Sequence, residues 1–139
     1  MLSLTHSSVG AAAGKYIPNP VLAFLAGIFL HFVFDKIPHF WPGKANYQGV
    51  MLVLDTVATT AFIAFLILYP GIGNRYRVVG GAIGGAFVDL CLVLTPKLNR
   101  SKLAGWHSAR QTHLRSFRFI LNDLVIIAAT MLVTFWIPA

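Results

Sequence analysis

Residues 49–69 read GVMLVLDTVATTAFIAFLILY, an apolar run whose only charged residue is Asp55. As a helix rising 1.5 Å per residue, a run of this length crosses the roughly 30 Å hydrocarbon core of a bilayer. A carboxylate inside such a run costs several kcal/mol unless it is paired, protonated or bound to a cation. The stretch therefore predicts a membrane helix and, inside it, a polar site.

Two further runs, 78–95 and 119–137, are of similar character, and 20–34 becomes a plausible span when extended to residue 37. Breakers or charges bound each of them: NP at Asn19–Pro20, YPGIGNR at 69–75, TPK at 95–97, and Pro138. Soluble buried helices give similar runs, but four of them in 139 residues leave little polar sequence to cover them. Composition agrees. The chain is 57% hydrophobic with a mean hydropathy of +0.73, and 11% of it is charged, against about 25% in soluble domains. The expected fold is all-α: a polytopic membrane helical bundle of four transmembrane helices, forming one integral membrane domain over residues 1–139. An N-terminal half-helix over residues 2–13 completes it, too short to span and turning back at KYIPNP. Non-spanning backbone at membrane depth has to be covered by protein; the alternative is an amphipathic helix lying in the interface. MLSLTHSSVGAAAG has no early Lys or Arg and reads as retained structure.

The net charge of +7 does not point to nucleic acid, because the basic residues lie between hydrophobic runs and not in a polar, aromatic-lined groove. Anionic lipid headgroups are the expected partner. With four crossings, Lys36, Lys44, Lys97, Arg100, Lys102, Arg110, Arg115 and Arg118 fall on one side, and Lys15, Arg75 and Arg77 on the other. The first group should face the cytoplasm. The lone Cys91 rules out an intrachain disulfide and a multi-cysteine zinc site. In GGAIGGAF, the pairs Gly80/Gly84 and Gly81/Gly85 have the small-xxx-small spacing that lets helices approach closely in lipid, within one subunit or between copies in a homo-oligomer.

All four acids fall at one depth. Asp35, Asp55, Asp89 and Asp123 each lie within roughly 9 Å of the expected cytoplasmic helix ends. His31 and Asp35 share a helix face at i,i+4, and a hairpin at residues 15–20 would bring His6 to the depth of His31. His6, His31, Asp35 and Asp89 then form an N/O ligand set suited to a divalent zinc, manganese or iron ion. His107 is the better placed histidine of the polar segment 97–118, and with Asp123 it forms a possible additional site. Structural pairing competes with this reading: Asp55 and Asp123 could accept bonds from Arg115 or Arg118, and an acid early in a helix suits its dipole. His39, beside Pro38 and Trp41, reads as an interfacial belt residue.

Three stretches, THS at 5–7, HFVFDKIPH at 31–39 and GGAFVD at 84–89, resemble the small bacterial membrane-bound proteins described as metal-dependent hydrolases of the YdjM type, themselves distantly similar to zinc-dependent phospholipase C. The resemblance covers most of the chain loosely and about 20 residues specifically. It implies a multi-pass protein of the bacterial inner membrane with a divalent metal, zinc or manganese, held by His6, His31, Asp35 and Asp89. It also implies hydrolysis, of a phosphoester or a lipid, at the cytoplasmic face. Val88 and Cys91 depart from the family pattern, which has a proline before this acid and a second acid two residues after it, and so count against a complete dinuclear centre. In such an enzyme Asp55 is the candidate catalytic base, and Arg110, Arg115 and Arg118 would orient an anionic headgroup. The competing functions are a non-enzymatic membrane module that binds lipid or a partner, and an ion or proton pathway.

Overall fold

The structure is a computed structural model describing every residue except Gly43, Pro96, 98–100, Arg110, Arg115 and Ala139. Among the described residues the helices include α1 (Ser3–Tyr16), α2 (Pro20–Phe34), α3 (Ala45–Leu68), α4 (Arg75–Leu94), α5 (Lys102–Ser108) and α6 (Ile120–Phe135), the last entered through a 3-10 turn at Phe117–Phe119. The helical class is as expected. The addition is a pair of two-residue strands, β1 (His39–Phe40) and β2 (His113–Leu114), which run parallel with His39 opposite His113. Of the four expected crossings, two have the length and apolarity for it: Asn46–Leu68 within α3, and Arg75–Leu94. The apolar helices α2 and α6 are shorter, at 15 and 16 residues.

α1 is the hub of the bundle. It packs most extensively on α4 and α2, and also on α6 and α3. Most of its residues are buried, and many of these are small or hydroxyl-bearing: Ser3, Thr5, Ser7, Ser8, Ala11 and Ala12 among them. Its lack of a strong apolar face follows from this position, since a helix surrounded by protein has no solvent side. Large apolar side chains instead face outward, as with Val21, Leu25 and Phe29 on α2 and Val53, Leu54 and Val57 on α3. The arrangement inverts the usual one in water, where polar residues cover an apolar centre.

Local sequence sets the hairpin. Asn19 accepts bonds from the Val21 and Leu22 nitrogens at 2.8 and 3.3 Å, capping α2, and Pro20 occupies the first turn where no N–H is needed. The Ile17 carbonyl at the turn accepts from Arg77 Nη1 at 3.3 Å. Lys15, at the end of α1, donates to the Val133 and Thr134 carbonyls at 3.1 and 3.0 Å and to that of Ile137, satisfying the carboxyl end of α6.

The glycine stripe of α4 divides between two partners. Gly81 and Gly85 face α1, where an added Cβ would overlap the carbonyl oxygens of Gly10 and His6; Gly80 and Gly84 face the carbonyls of Pro20 and Phe24 on α2. Both stripes are thus used within one chain. An extra methyl group between such backbones has no side chain to displace, and overpacking of this kind costs about 1–3 kcal/mol. Gly81→Ala should lower the thermal unfolding midpoint clearly. Gly49→Ala on α3, where nothing lies within 4 Å, should hold or raise it, because alanine is the better helix former by about 1 kcal/mol. Equal midpoints for the two variants would contradict the close α1–α4 contact.

Candidate metal centre

The amino end of α1 is buried, and its first N–H groups have no carbonyl one turn earlier to bond. Leu2, at the cap position, offers no side-chain acceptor, and the first turn carries no acid. Other helices supply the acceptors. Asp55 of α3 accepts from the Ser3 and Leu4 nitrogens at 2.8 and 3.1 Å. Asp123 of α6 accepts from the Leu2 nitrogen at 3.1 Å and from Thr5 Oγ1 at 2.7 Å. Asp89 of α4 accepts from Ser3 Oγ at 2.9 Å. Three of the four acids therefore meet around one helix terminus, and Asp35 lies next to them, 3.4 Å from the Met1 nitrogen.

Histidines separate two of these acids from the rest. His31 Nδ1 lies 2.9 Å from the Gly85 carbonyl oxygen. Only an N–H can face that oxygen, so the neutral ring presents the lone pair of Nε2 to the interior. There Nε2 of His31 lies 2.8 Å from Nε2 of His107 and 3.3 Å from Asp35 Oδ2, which is itself 3.0 Å from His107. His31, Asp35 and His107 are all buried. Two ring nitrogens this close need a shared proton or a cation between them. Donor atoms around a tetrahedral zinc, with bonds of about 2.0–2.1 Å, lie about 3.4 Å apart, so the triangle has nearly the size of one face of such a site.

His6 and Asp89 border the triangle. His6 Nε2 is 3.0 Å from Asp35 Oδ1, and the His6 and His31 rings are 4.0 Å apart between centroids. The hairpin thus does bring His6 beside His31. His6 Nδ1 is buried with no hydrogen-bond partner. A bare lone pair there costs less than a bare N–H, which favours a proton on Nε2 directed at Asp35 and makes His6 the weakest of the three imidazole donors. Asp89 Oδ1 lies 3.8 and 3.9 Å from Nε2 of His31 and of His107. Among the described residues, two sets of three side chains each offer donor atoms within 4.8 Å of one another: His31–Asp35–His107 and His6–His31–Asp89.

Asp35 is buried, with its carboxylate within 3.3 Å of Nε2 of His6, His31 and His107. The segment carrying His107 is pinned over the site by backbone bonds. The Thr112 nitrogen donates to the Asp35 carbonyl at 3.2 Å, and the His39 nitrogen donates to Thr112 at 3.1 Å. Gln111 Nε2 stands 3.4 Å from both Asp35 oxygens. A cavity of about 400 Å³ reaches the centre from α3, α4 and α5, bordered by Ser3, Gln48, Asp55, Asp89, His107 and Gln111.

The sequence set is thus placed unevenly. His6, His31, Asp35, Asp89 and His107 converge. Asp123 stands apart from His107, against Leu2 and Thr5, with Oδ2 buried and unpaired. Asp55 borders the cavity, but both its oxygens hold α1. Arg118 is exposed, its guanidinium 5.3 Å from the Phe119 ring; Arg110 and Arg115 lie outside the described residues. Cys91 is free and lines an apolar groove that His107 also borders. His39 is no belt residue. It is 1% exposed, with Nε2 2.5 Å from the Met1 nitrogen, and burial pushes its imidazole below the usual range. The parallel strand pair that buries it left no signal in its local sequence.

The chain matches no family model, no curated protein and no solved structure.

Asp35→Asn keeps the size of the side chain and removes its charge, so zinc affinity should fall by at least about 100-fold, beyond the usual effect of losing a supporting hydrogen bond. Asp123→Asn should lower stability by about 1–3 kcal/mol through its weaker acceptor and leave zinc affinity within about threefold. Zinc titration and thermal unfolding of both variants check this. Equal zinc affinity in Asp35→Asn and the parent would remove Asp35 from the site.

Proposed function

We propose that the chain is a multi-pass membrane protein that holds one divalent cation among His31, His107 and Asp35 and uses it to hydrolyse a phosphoester at the cytoplasmic face of the bacterial inner membrane. The observation that carries the reading is the approach of two histidine Nε2 atoms and a carboxylate oxygen to within 3.3 Å of one another, with the His31 ring turned inward by Gly85. His6 and Asp89 complete the donor set. Mixed nitrogen and oxygen donors suit zinc or manganese. Four crossings, by α2, α3, α4 and α6, are supported by the apolar exterior and by the length of α3 and α4. The hydrolytic part rests on the resemblance carried by THS, HFVFDKIPH and GGAFVD.

A bound divalent ion supplies Lewis acidity toward a phosphoryl oxygen and makes water more acidic. The chain's own groups do the rest. Asp89 faces both the cavity and the centre, leaving that side open to water and substrate. Asp55, held in orientation by the Ser3 and Leu4 nitrogens, takes the proton as the water oxygen bonds to phosphorus and the leaving oxygen departs. Arg118, with Arg110 and Arg115, draws anionic headgroups to this face. A second reading, a non-enzymatic membrane module, is favoured by one observation: Asp55 and Asp123 already serve to cap α1.

Two measurements test the proposal. Single cysteines at Ser101 and Asn74, in a Cys91→Ser background, should label from opposite faces, Ser101 from the cytoplasm; labelling of Ser101 from outside alone would reverse the orientation. Zinc- or manganese-loaded protein in lipid nanodiscs should release phosphate from phosphoesters, and His31→Ala should reduce the rate by about 100-fold or more. Metal binding without turnover across a panel of phosphomonoesters and phosphodiesters would favour the structural module.

A further inference from the structure

His107 belongs to two cavities at once. One is the polar cavity of about 400 Å³ described above; the other, of about 180 Å³, is lined by Phe32, Phe87, Val88, Cys91, Leu92 and Trp106 together with His107. Leu92 is also common to both. The surface of the smaller groove is almost wholly apolar even though a histidine lines it, because His107 turns Nε2 toward His31 and Asp35. A polar group therefore sits on one side of the His107 ring and hydrocarbon on the other.

We infer that the molecule acted on at the centre is an amphiphile, with its polar reacting group in the larger cavity and its hydrocarbon chain in this groove. The inference rests on the hydrolase reading above and adds the class of substrate to it. Three observations select a chain over other occupants. First, the described residues give the groove an almost wholly apolar surface, so a polar metabolite gains little by entering it. Second, its volume suits a single alkyl chain, whereas a helix from a second copy needs a trough some 10 Å across. Third, the groove lies among outward-facing apolar side chains: Phe87 and Trp106, which line it, are 42% and 44% exposed, on the surface that the proposed membrane would cover. Its walls are fixed by edge-to-face pairs, Phe24 with Phe87 at 5.2 Å and Phe32 with Trp106 at 5.6 Å.

Moving a chain from lipid into an apolar groove exchanges one hydrocarbon environment for another. The groove thus acts by shape and position and not by a hydrophobic driving force. It aligns the chain so that the linked polar group meets the open side of the centre, between Asp89 and His107.

The test is a crystal of the full chain grown with zinc and with decyl phosphate brominated at its terminal carbon, mapped by anomalous scattering at both absorption edges. A bromine peak in the groove beside Cys91 and Val88 is expected. A bromine peak elsewhere on the apolar exterior, or none, overturns the inference. The zinc peak among His31, His107 and Asp35 reports separately on the metal reading, so either can fail alone. In solution, Val88→Trp should fill the groove and weaken decyl phosphate binding by about tenfold, with methyl phosphate and zinc binding unchanged. Equal loss for both phosphates, or none for either, would count against a chain site. If Val88→Trp does not fold, the bromine map decides the matter.

Discussion

A helix that begins inside a protein must find acceptors for its first N–H groups, and the amino end of α1 finds them on other helices. Each such group left bare would cost about 1–3 kcal/mol, more where no water can reach it. Asp55 and Asp123 meet this demand across the bundle, at separations of 52 and 121 residues along the chain. Their negative charges also oppose the positive end of the helix dipole. The position of α1 at the centre, with many small side chains and with glycines against α4, follows from the same constraint: the helix has to enter deeply enough for its end to reach these carboxylates.

Once that terminus is satisfied, the remaining acids are free for other work. Asp35 stands beyond the first turn of α1, among three imidazoles, and Asp89 divides its oxygens between Ser3 and the histidine pair. A layer of four acids therefore holds two different solutions to the problem of a buried carboxylate. Two are neutralised by backbone N–H groups and hydroxyls. The others depend on histidine, whose nitrogens accept either a proton or a metal.

Much of this was legible in the sequence, and the illegible part has a physical cause. The i,i+4 spacing of His31 and Asp35, the NP signal at the α2 cap and the paired glycines of α4 are local patterns, and each has the predicted consequence. His6 could be placed because a turn signal and a residue count fix its depth. That Asp55 also caps α1 could not be read, because the helix end it meets lies 52 residues away along the chain. His39 was misread for a similar reason. Its burial depends on a parallel pairing with residues 113–114, a contact that no periodicity of its own stretch reveals. The crossings of α2 and α6 sit between these cases: their apolarity is plain, but each is shorter than the hydrocarbon it is proposed to cross.

Gly85 carries two duties that are normally given to different residues. Its missing side chain lets α1 approach at His6, and its carbonyl sets the tautomer of His31. Spacing between helices and basicity of a donor nitrogen are thus tied to a single backbone position. Any substitution there changes both together, so the packing of this bundle and the chemistry of its centre cannot drift apart independently.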